Sequence, residues 1–140
     1  MRLTVFFLLL SNFCLAQDKV VGKWKTIDDN TSKEKSIVEI TERSGKIYGK
    51  VVKIYPEPGK DPDPVCNKCE ASDARHNKKI IGMEIIKDLV KDGEEYGQGT
   101  ILDPENGKVY GCKIWVEGES LMVRGYWGPF FRTQTWLKVP

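Results

Sequence analysis

Residues 96–136 read YGQGTILDPENGKVYGCKIWVEGESLMVRGYWGPFFRTQTW, and this stretch decides the fold class of the chain. Strand-like segments alternate in it with turn signals, among them Asn106-Gly107 and Gly128-Pro129. Short strands joined by turns about every 8–12 residues are typical of a β-sandwich or β-barrel. The stretch therefore predicts an all-β domain built from antiparallel hairpins.

The same pattern extends to the rest of the chain and brings the expected number of strands to about eight. A helix is the alternative for one segment, because Ile81, Ile85 and Leu89 are spaced by four, but Gly82 and two adjacent isoleucine pairs favour a strand there. Short, hairpin-like connections favour an antiparallel up-and-down barrel over a Greek-key sandwich. A barrel of about eight strands holds its own side chains or one small ligand. The expected strands are 20–27, 35–41, 46–55, 80–87, 95–102, 109–116, 121–127 and 131–139.

One segment, residues 56–73, departs from the strand pattern. It contains four prolines, Cys66 and Cys69, and almost no large apolar residue. A loop longer than about 12–15 residues is usually functional or flexible. We therefore expect a long Pro/Cys-containing loop to interrupt the series of hairpins.

The first 16 residues have the features of a secretory signal peptide. Met1-Arg2 precedes the apolar run 3–10, and Cys14-Leu15-Ala16 supplies a small residue at the cleavage position. The apolar run is shorter than the roughly 20 residues that a membrane-spanning helix needs. We therefore expect residues 1–16 to be a signal peptide and residues 17–140 to be a single barrel domain, exported to the periplasm or beyond.

The charge balance argues against binding to nucleic acid. Removing residues 1–16 takes away Arg2 and no acidic residue, which lowers the formal net charge from +2 to +1. Nucleic-acid-binding domains usually carry a basic face, and the local basic runs of this chain are typical of solvated loops. We expect no nucleic-acid partner.

Short motifs distributed along the mature chain point to a known family. They are Gly22-x-Trp24, Gly45-Lys46-Ile47-Tyr48-Gly49-Lys50, Cys66-x-x-Cys69, Ile81-Gly82-Met83, Gly99-x-Ile101-Leu102-Asp103-Pro104-x-x-Gly107-Lys108-x-Tyr110, Val123-Arg124-Gly125-Tyr126 and Arg132-Thr133-Gln134-Thr135-Trp136. In these motifs the chain resembles the DUF2147 family of small exported bacterial proteins over essentially its whole mature length. The resemblance implies a lipocalin-like barrel of uncharacterised function, and it brings no catalytic residues with it.

Gly22-x-Trp24 also resembles the opening motif of lipocalin-type barrels. In those folds the tryptophan plugs the closed end, and an arginine from the last strand packs over it. Arg124 and Arg132 are the candidates for that arginine, because a guanidinium is attracted to an indole face. The alternative is that Trp24 simply packs in the core.

Three cysteines remain after the signal peptide, and an exported protein lies in an oxidising environment. We favour a disulfide between Cys66 and Cys69, with Cys112 free and buried. Pairing of either cysteine with Cys112 is the alternative, and it would tie the long loop to a strand. A redox or zinc role for Cys-x-x-Cys is disfavoured, because no helix follows the motif and only one such pair is present.

No combination of residues predicts an enzyme. His76 is the only histidine, and the carboxylate pairs Glu94-Glu95 and Asp103/Glu105 lie in turn sequences. A glycine-rich phosphate loop between a strand and a helix is lacking in the sequence. We expect no catalytic residue, no metal and no cofactor.

Two functions remain open from the sequence. In the first, the barrel binds a small apolar or amphipathic ligand in an apolar pocket with a few polar groups. In the second, the protein is an envelope interaction or structural module without a ligand cavity, and it uses a strand edge, the long loop or an aromatic surface. The aromatic residues expected to line or rim a ligand pocket are Tyr48, Trp115, Tyr126, Trp127, Phe130 and Phe131.

Overall fold

The computed structural model describes residues 18–140, and the expected signal peptide lies outside these described residues. Strands account for nearly all of the regular structure in this range, and each strand is joined to the next along the chain. The strands are β1 (Gly22–Ile27), β2 (Glu34–Arg43), β3 (Lys46–Ile54), β4 (Glu84–Asp92), β5 (Glu95–Asp103), β6 (Lys108–Glu117), β7 (Ser120–Trp127) and β8 (Phe130–Lys138).

The eight strands form one closed barrel in which every strand pairs antiparallel with its neighbours in sequence. The barrel closes where β1 pairs with β8, with Trp24 opposite Lys138 and Lys25 opposite Leu137. Closure removes the open edges that would otherwise invite aggregation. The predicted all-β, eight-stranded, up-and-down fold is confirmed.

Alternating burial along the strands fills the barrel. In β6 and β7 the buried residues Cys112, Ile114, Leu121 and Val123 point inward, since successive side chains of a strand face opposite sides of the sheet. Burial of each such aliphatic side chain contributes about 1.5–3 kcal/mol relative to exposure. The most completely buried side chains are Ile40, Ile47, Ile86, Leu89, Leu102, Ile114, Leu121, Val20, Val38 and Cys66.

Trp24 is buried in the part of the barrel where the chain enters β1. Its side chain is 2% exposed, and its indole Nε1 donates to the Val20 carbonyl at 2.8 Å. Val20 precedes β1 and is buried with it, so the chain entering the barrel satisfies the indole N–H. The buried tryptophan that the sequence predicts is present, and its polar atom has a backbone partner.

The fourth strand differs from its predicted position. It begins at Glu84 rather than at residue 80, and it continues to Asp92. Residues 80–83 belong instead to the long connection, because Gly82 N donates to the Val51 carbonyl and Val51 N donates to the Met83 carbonyl in a turn against β3. The prediction of a strand rather than a helix is confirmed, but its start is wrong by four residues. Within residues 18–140, no helix is long and apolar enough to cross a membrane.

Candidate functional site

The two ends of the barrel are built differently. The short turns at 44–45, 93–94 and 118–119 lie at the end where β1 begins. The other end carries the β1–β2 turn, the long β3–β4 connection, and the turns at 104–107 and 128–129. An up-and-down topology necessarily places alternate connections at opposite ends. We call the second end the mouth.

A cavity of about 390 Å3 occupies the interior and opens at the mouth. Its size lies in the range of about 300–1,000 Å3 that is typical of small-molecule sites. The apolar part of the cavity wall is mainly aliphatic, with one indole. The apolar residues of that wall are Val51, Ile54, Ile80, Ile85, Ile101, Leu102, Val123 and Trp136.

The β7–β8 hairpin supplies one side of the cavity through its register. Val123 pairs with Gln134 and Gly125 pairs with Arg132, so all four face the interior. A methyl group added at Gly125 would lie 3.6 Å from Cβ of Tyr110, which is ordinary contact. Gly125 therefore leaves part of the cavity unfilled that a larger side chain would occupy.

A chain of hydrogen bonds leads from the cavity to the β1–β2 turn. The indole Nε1 of Trp136 donates to Oε1 of Gln134 at 3.0 Å, and Nε2 of Gln134 donates to Oδ2 of Asp29 at 3.0 Å. Arg132 also donates to Asp29. These contacts hold the β1–β2 turn against the mouth and satisfy the polar groups of β8.

The remaining polar groups of the cavity are already partnered. The hydroxyls of Thr26 and Ser36 lie 2.7 Å apart, and Lys35 forms an ion pair with Glu105 at 3.0 Å. Among the described residues, no buried side-chain nitrogen or oxygen lacks a hydrogen-bond partner. An apolar ligand therefore meets no unsatisfied interior group, and both signs of charge are available at the mouth.

The long connection forms part of the mouth, since Pro64 and Ile80 line the cavity. The sequence Cys66–Cys69 is closed by a disulfide with a Cα–Cα distance of 5.4 Å, and both residues are buried. This confirms the predicted pairing.

The remaining described cysteine, Cys112, is free and buried as expected, and burial raises the pKa of its thiol to about 12.

The disulfide segment is held by contacts with its surroundings. Nδ1 of His76 donates to the Cys69 carbonyl at 2.6 Å, so the histidine has a structural partner inside the loop. Gly107, in the β5–β6 turn, lies so close that an added Cβ would come within 1.8 Å of the Lys68 carbonyl oxygen. The segment is thus docked on the β5–β6 turn rather than free in solvent.

A second anchor fixes the end of the same connection. Arg75 donates through Nε and Nη2 to the carboxylate of Asp73, and through Nη1 to the Glu84 carbonyl at the start of β4. These hydrogen bonds from Arg75 hold the pKa of Asp73 at about 2, well below its usual value. The end of the connection is therefore fixed to the barrel by charge-assisted hydrogen bonds from Arg75.

The six aromatic residues expected around a pocket do not line the cavity. Tyr48 faces outward, with the guanidinium of Arg43 3.8 Å from its ring centroid and its hydroxyl donating to Asp88. Trp115 also lies on the outer wall, because Ile114 beside it points inward. For these two residues the prediction is wrong. Successive side chains of a strand face opposite sides of the sheet, and both residues belong to the outer side.

The other four aromatic residues belong to the β7–β8 hairpin near the mouth. Tyr126 and Phe131 pair on the outer wall with ring centroids 6.1 Å apart. Trp127 and Phe130 stack at the turn with centroids 6.4 Å apart, and they are 69% and 67% exposed. None of the four forms the cavity wall, so the expected lining role is wrong for them. Trp127 and Phe130 lie beside the mouth, which agrees with the other part of the prediction, a position at the rim.

The arginines proposed to cover Trp24 make other contacts. Arg124 lies on the outer wall over the rings of Trp115 and Phe131, at 4.9 and 4.5 Å from their centroids. Arg132 lies at the mouth, where it pairs with Asp29. The predicted arginine cover is therefore wrong.

Sequence reasoning missed several cavity residues, namely Thr26, Ser36, Tyr110 and Gln134. The signal for one of them was present, because Gln134 alternates with Arg132 and Trp136 along β8. Within residues 18–140, no group of three or more His, Cys, Asp or Glu side chains is arranged to hold a metal ion.

Comparison with known proteins agrees with this geometry. The family model for uncharacterised proteins conserved in bacteria, DUF2147, matches residues 22–138. A similar solved structure, protein HP1028 from Helicobacter pylori, is described as belonging to the lipocalin family. It shares 22% identity at a TM-score of 0.71, over 86% of this chain and 82% of that chain, which shows the fold. No curated protein matches. The chain belongs to the DUF2147 family and has a lipocalin-like barrel.

Proposed function

We propose that this protein binds a small apolar or amphipathic ligand inside its barrel. The observation that carries the proposal is the cavity of about 390 Å3, with an aliphatic wall and a polar mouth. Removing apolar ligand surface from water contributes about 25 cal/mol per Å2 before the costs of association. A module that lacked a cavity would fill its barrel with its own side chains, so this alternative is less well supported.

The polar mouth favours a ligand with an apolar body and a small polar end. The deeper residues, such as Ile101, Val123 and Trp136, offer dispersion contacts. Near the opening, Lys35 and Glu105 offer charges of both signs. A molecule that enters by its apolar end keeps its polar end near these two charges.

We also propose that the protein acts outside the cytoplasm after loss of residues 1–16. The signal-like N-terminus and the Cys66–Cys69 disulfide support this location, since structural disulfides persist in oxidising compartments. N-terminal sequencing of the native protein tests it. A mature chain that begins at Gln17 is expected, and a cytoplasmic chain that begins at Met1 would contradict the proposal.

Native mass spectrometry of protein purified from its own envelope tests ligand binding. We expect a bound apolar molecule in the wild-type protein and its loss in Gly125→Leu, whose side chain enters the cavity. Gly111→Leu is the matched control. Gly111 pairs with Tyr126 on the outer face, and a Cβ there would also have its nearest neighbour at 3.6 Å.

Three results decide between the alternatives. Loss of the bound mass in Gly125→Leu alone supports a ligand inside the barrel. Equal retention in both variants would place any bound molecule elsewhere. Failure to detect a bound mass in the wild-type protein, together with failure of added dodecanoate to bind, would refute the proposal.

A further inference from the structure

The most exposed large apolar side chains of the described residues are concentrated at one hairpin. Trp127, Phe130 and Phe131 are 69%, 67% and 60% exposed, and we call these three residues the aromatic tip. Only Gly128 and Pro129 lie between the first two, so the segment 127–131 carries no charge. Large aromatic residues left in water at a turn mark a surface with a binding role.

The aromatic tip is held in place rather than loosely attached. Trp127 pairs with Phe130 across the hairpin, and their rings stack at an interplanar angle of 26°. Phe131 is supported by Tyr126 and by the guanidinium of Arg124. Because these contacts fix the rings before any partner arrives, little side-chain entropy is lost on binding.

The aromatic tip lies beside the entrance of the cavity. Gly125 and Arg132, which line the cavity, lie two residues before Trp127 and two residues after Phe130 in the same hairpin. Whatever binds the tip therefore lies next to the mouth. A surface bound by the aromatic tip would therefore lie at the opening through which a ligand enters or leaves the barrel.

The exposed area indicates the kind of partner. Aromatic side chains present about 150–250 Å2 each, so three that are about two-thirds exposed offer roughly 300–500 Å2. A stable protein interface needs about 800 Å2 from each partner. Tryptophan and phenylalanine at a protruding turn instead suit the interfacial layer of a bilayer, where amphipathic and aromatic groups anchor proteins reversibly.

We propose that the aromatic tip inserts into the interfacial layer of a phospholipid bilayer and so holds the mouth against the membrane. This inference rests on the proposed ligand binding, because a ligand suited to the aliphatic cavity partitions into membranes. Of the charges near the tip, Arg132 is paired with Asp29 and Lys35 with Glu105, and the guanidinium of Arg124 lies over the rings of Trp115 and Phe131. Binding therefore requires no anionic lipid and extends to zwitterionic phosphatidylcholine.

Flotation with phosphatidylcholine vesicles tests the proposal, using the chain that begins at Gln17. The triple variant Trp127→Ser, Phe130→Ser, Phe131→Ser is expected to bind vesicles at least about tenfold more weakly. The matched control is Leu137→Ser, since Leu137 is 46% exposed but lies at the end of the barrel opposite the mouth. Circular dichroism checks that both variants keep the β-sheet spectrum.

Brominated phosphatidylcholine gives a second readout. It is expected to quench the fluorescence of the wild-type protein through Trp127. The variant Trp127→Phe should still bind vesicles but lose most of this quenching. Trp24 and Trp136 are each 2% exposed inside the barrel, and Trp115 lies on the outer wall near the end of β6, at the end of the barrel opposite the mouth.

The outcomes separate this inference from the proposed function. Vesicle binding that is unchanged in the triple variant, or absent in the wild-type protein while dodecanoate still binds, would overturn the membrane role and leave ligand binding intact. Self-association that depends on the tip without vesicle binding would assign the tip to a second copy and also overturn it. Vesicle binding that depends on the tip, in a wild-type protein that carries no co-purified ligand and does not bind dodecanoate, would refute the proposed function and leave the membrane contact in place.

Discussion

Gly107→Ala is expected to destabilise the protein by detaching the disulfide segment from the β5–β6 turn. Gly107 has a φ of 75°, and an added Cβ would lie 1.8 Å from the Lys68 carbonyl oxygen and 2.8 Å from the Cys69 nitrogen. Neither neighbouring atom is the end of a flexible side chain. The backbone of the loop must therefore move if the substitution is to be accommodated.

The expected loss of unfolding free energy in Gly107→Ala has two parts. A left-handed backbone conformation costs a residue with a Cβ about 1–2 kcal/mol. Forcing an extra carbon into a packed contact adds about 1–3 kcal/mol. The free energy of unfolding should thus fall by about 2–5 kcal/mol in Gly107→Ala.

Gly118→Ala isolates the first part. Gly118 has a φ of 58°, but nothing lies within 4 Å of the added Cβ. This control should lose only about 1–2 kcal/mol. For a domain of this size, each kcal/mol lowers Tm by roughly 3–6 °C, so the two variants are distinguishable in a thermal melt.

Urea unfolding and amide hydrogen exchange complete the assay. Exchange should accelerate at Cys66 and Ile80, whose amides donate within the connection, to the Lys78 and Pro64 carbonyls. If Gly107→Ala costs no more than Gly118→Ala and leaves this exchange unchanged, the disulfide segment is not docked and the description of the mouth is incorrect.

Three further predictions concern single side chains. The pKa of Asp73 is about 2 in the folded protein against a usual 3.8, so its contribution to stability is complete above about pH 4 and is lost as the pH falls toward 2. Asp73→Asn should abolish that loss in acid unfolding curves and cost about 1–2 kcal/mol at pH 7, because Arg75 loses an ionic acceptor. The buried Cys112 thiol, with a pKa raised to about 12, should react with a thiol reagent only after unfolding, and rapid reaction in the native protein would contradict its burial. Trp24→Phe should lose about 1–3 kcal/mol in urea unfolding, since it leaves the Val20 carbonyl without its indole donor, and an unchanged midpoint would show that this bond is dispensable.

The fold was largely predictable because hairpin signals are local. Asn106-Gly107 and Gly128-Pro129 mark turns by their own backbone preferences, and the strand pattern between them repeats with a period of two. The start of β4 was not predictable in the same way. Residues 80–83 have strand-like composition, yet the hydrogen bonds of Gly82 and Met83 with Val51 hold them in a turn.

The cavity was only partly predictable. Strand alternation contained the information that Trp115 and Tyr126 point outward when Ile114 and Val123 point inward. Aromatic content is therefore a poor guide to a pocket unless the face of each residue is considered. The empty volume itself depends on how Gly125 and facing strands fit together, which no local pattern encodes.

The exposure of the aromatic residues at 126–131 was not predictable from the sequence alone. The excess of aromatics at residues 126–131 was visible in the sequence, but their exposure depends on where the barrel wall ends. Alternation of side chains along β7 assigns Trp127 to the inward-facing side. It is nevertheless 69% exposed, because it lies at the last position of the strand.

The most direct test of ligand binding in the barrel is an NMR titration of the protein with sodium dodecanoate. Saturable shifts are expected at the methyl groups of Ile101 and Val123 and at the indole N–H of Trp136, which all face the cavity. Gly125→Leu should abolish these shifts, whereas Gly111→Leu should retain them. Shifts confined to the outer wall, or no saturable shift at the three cavity residues, would contradict the account.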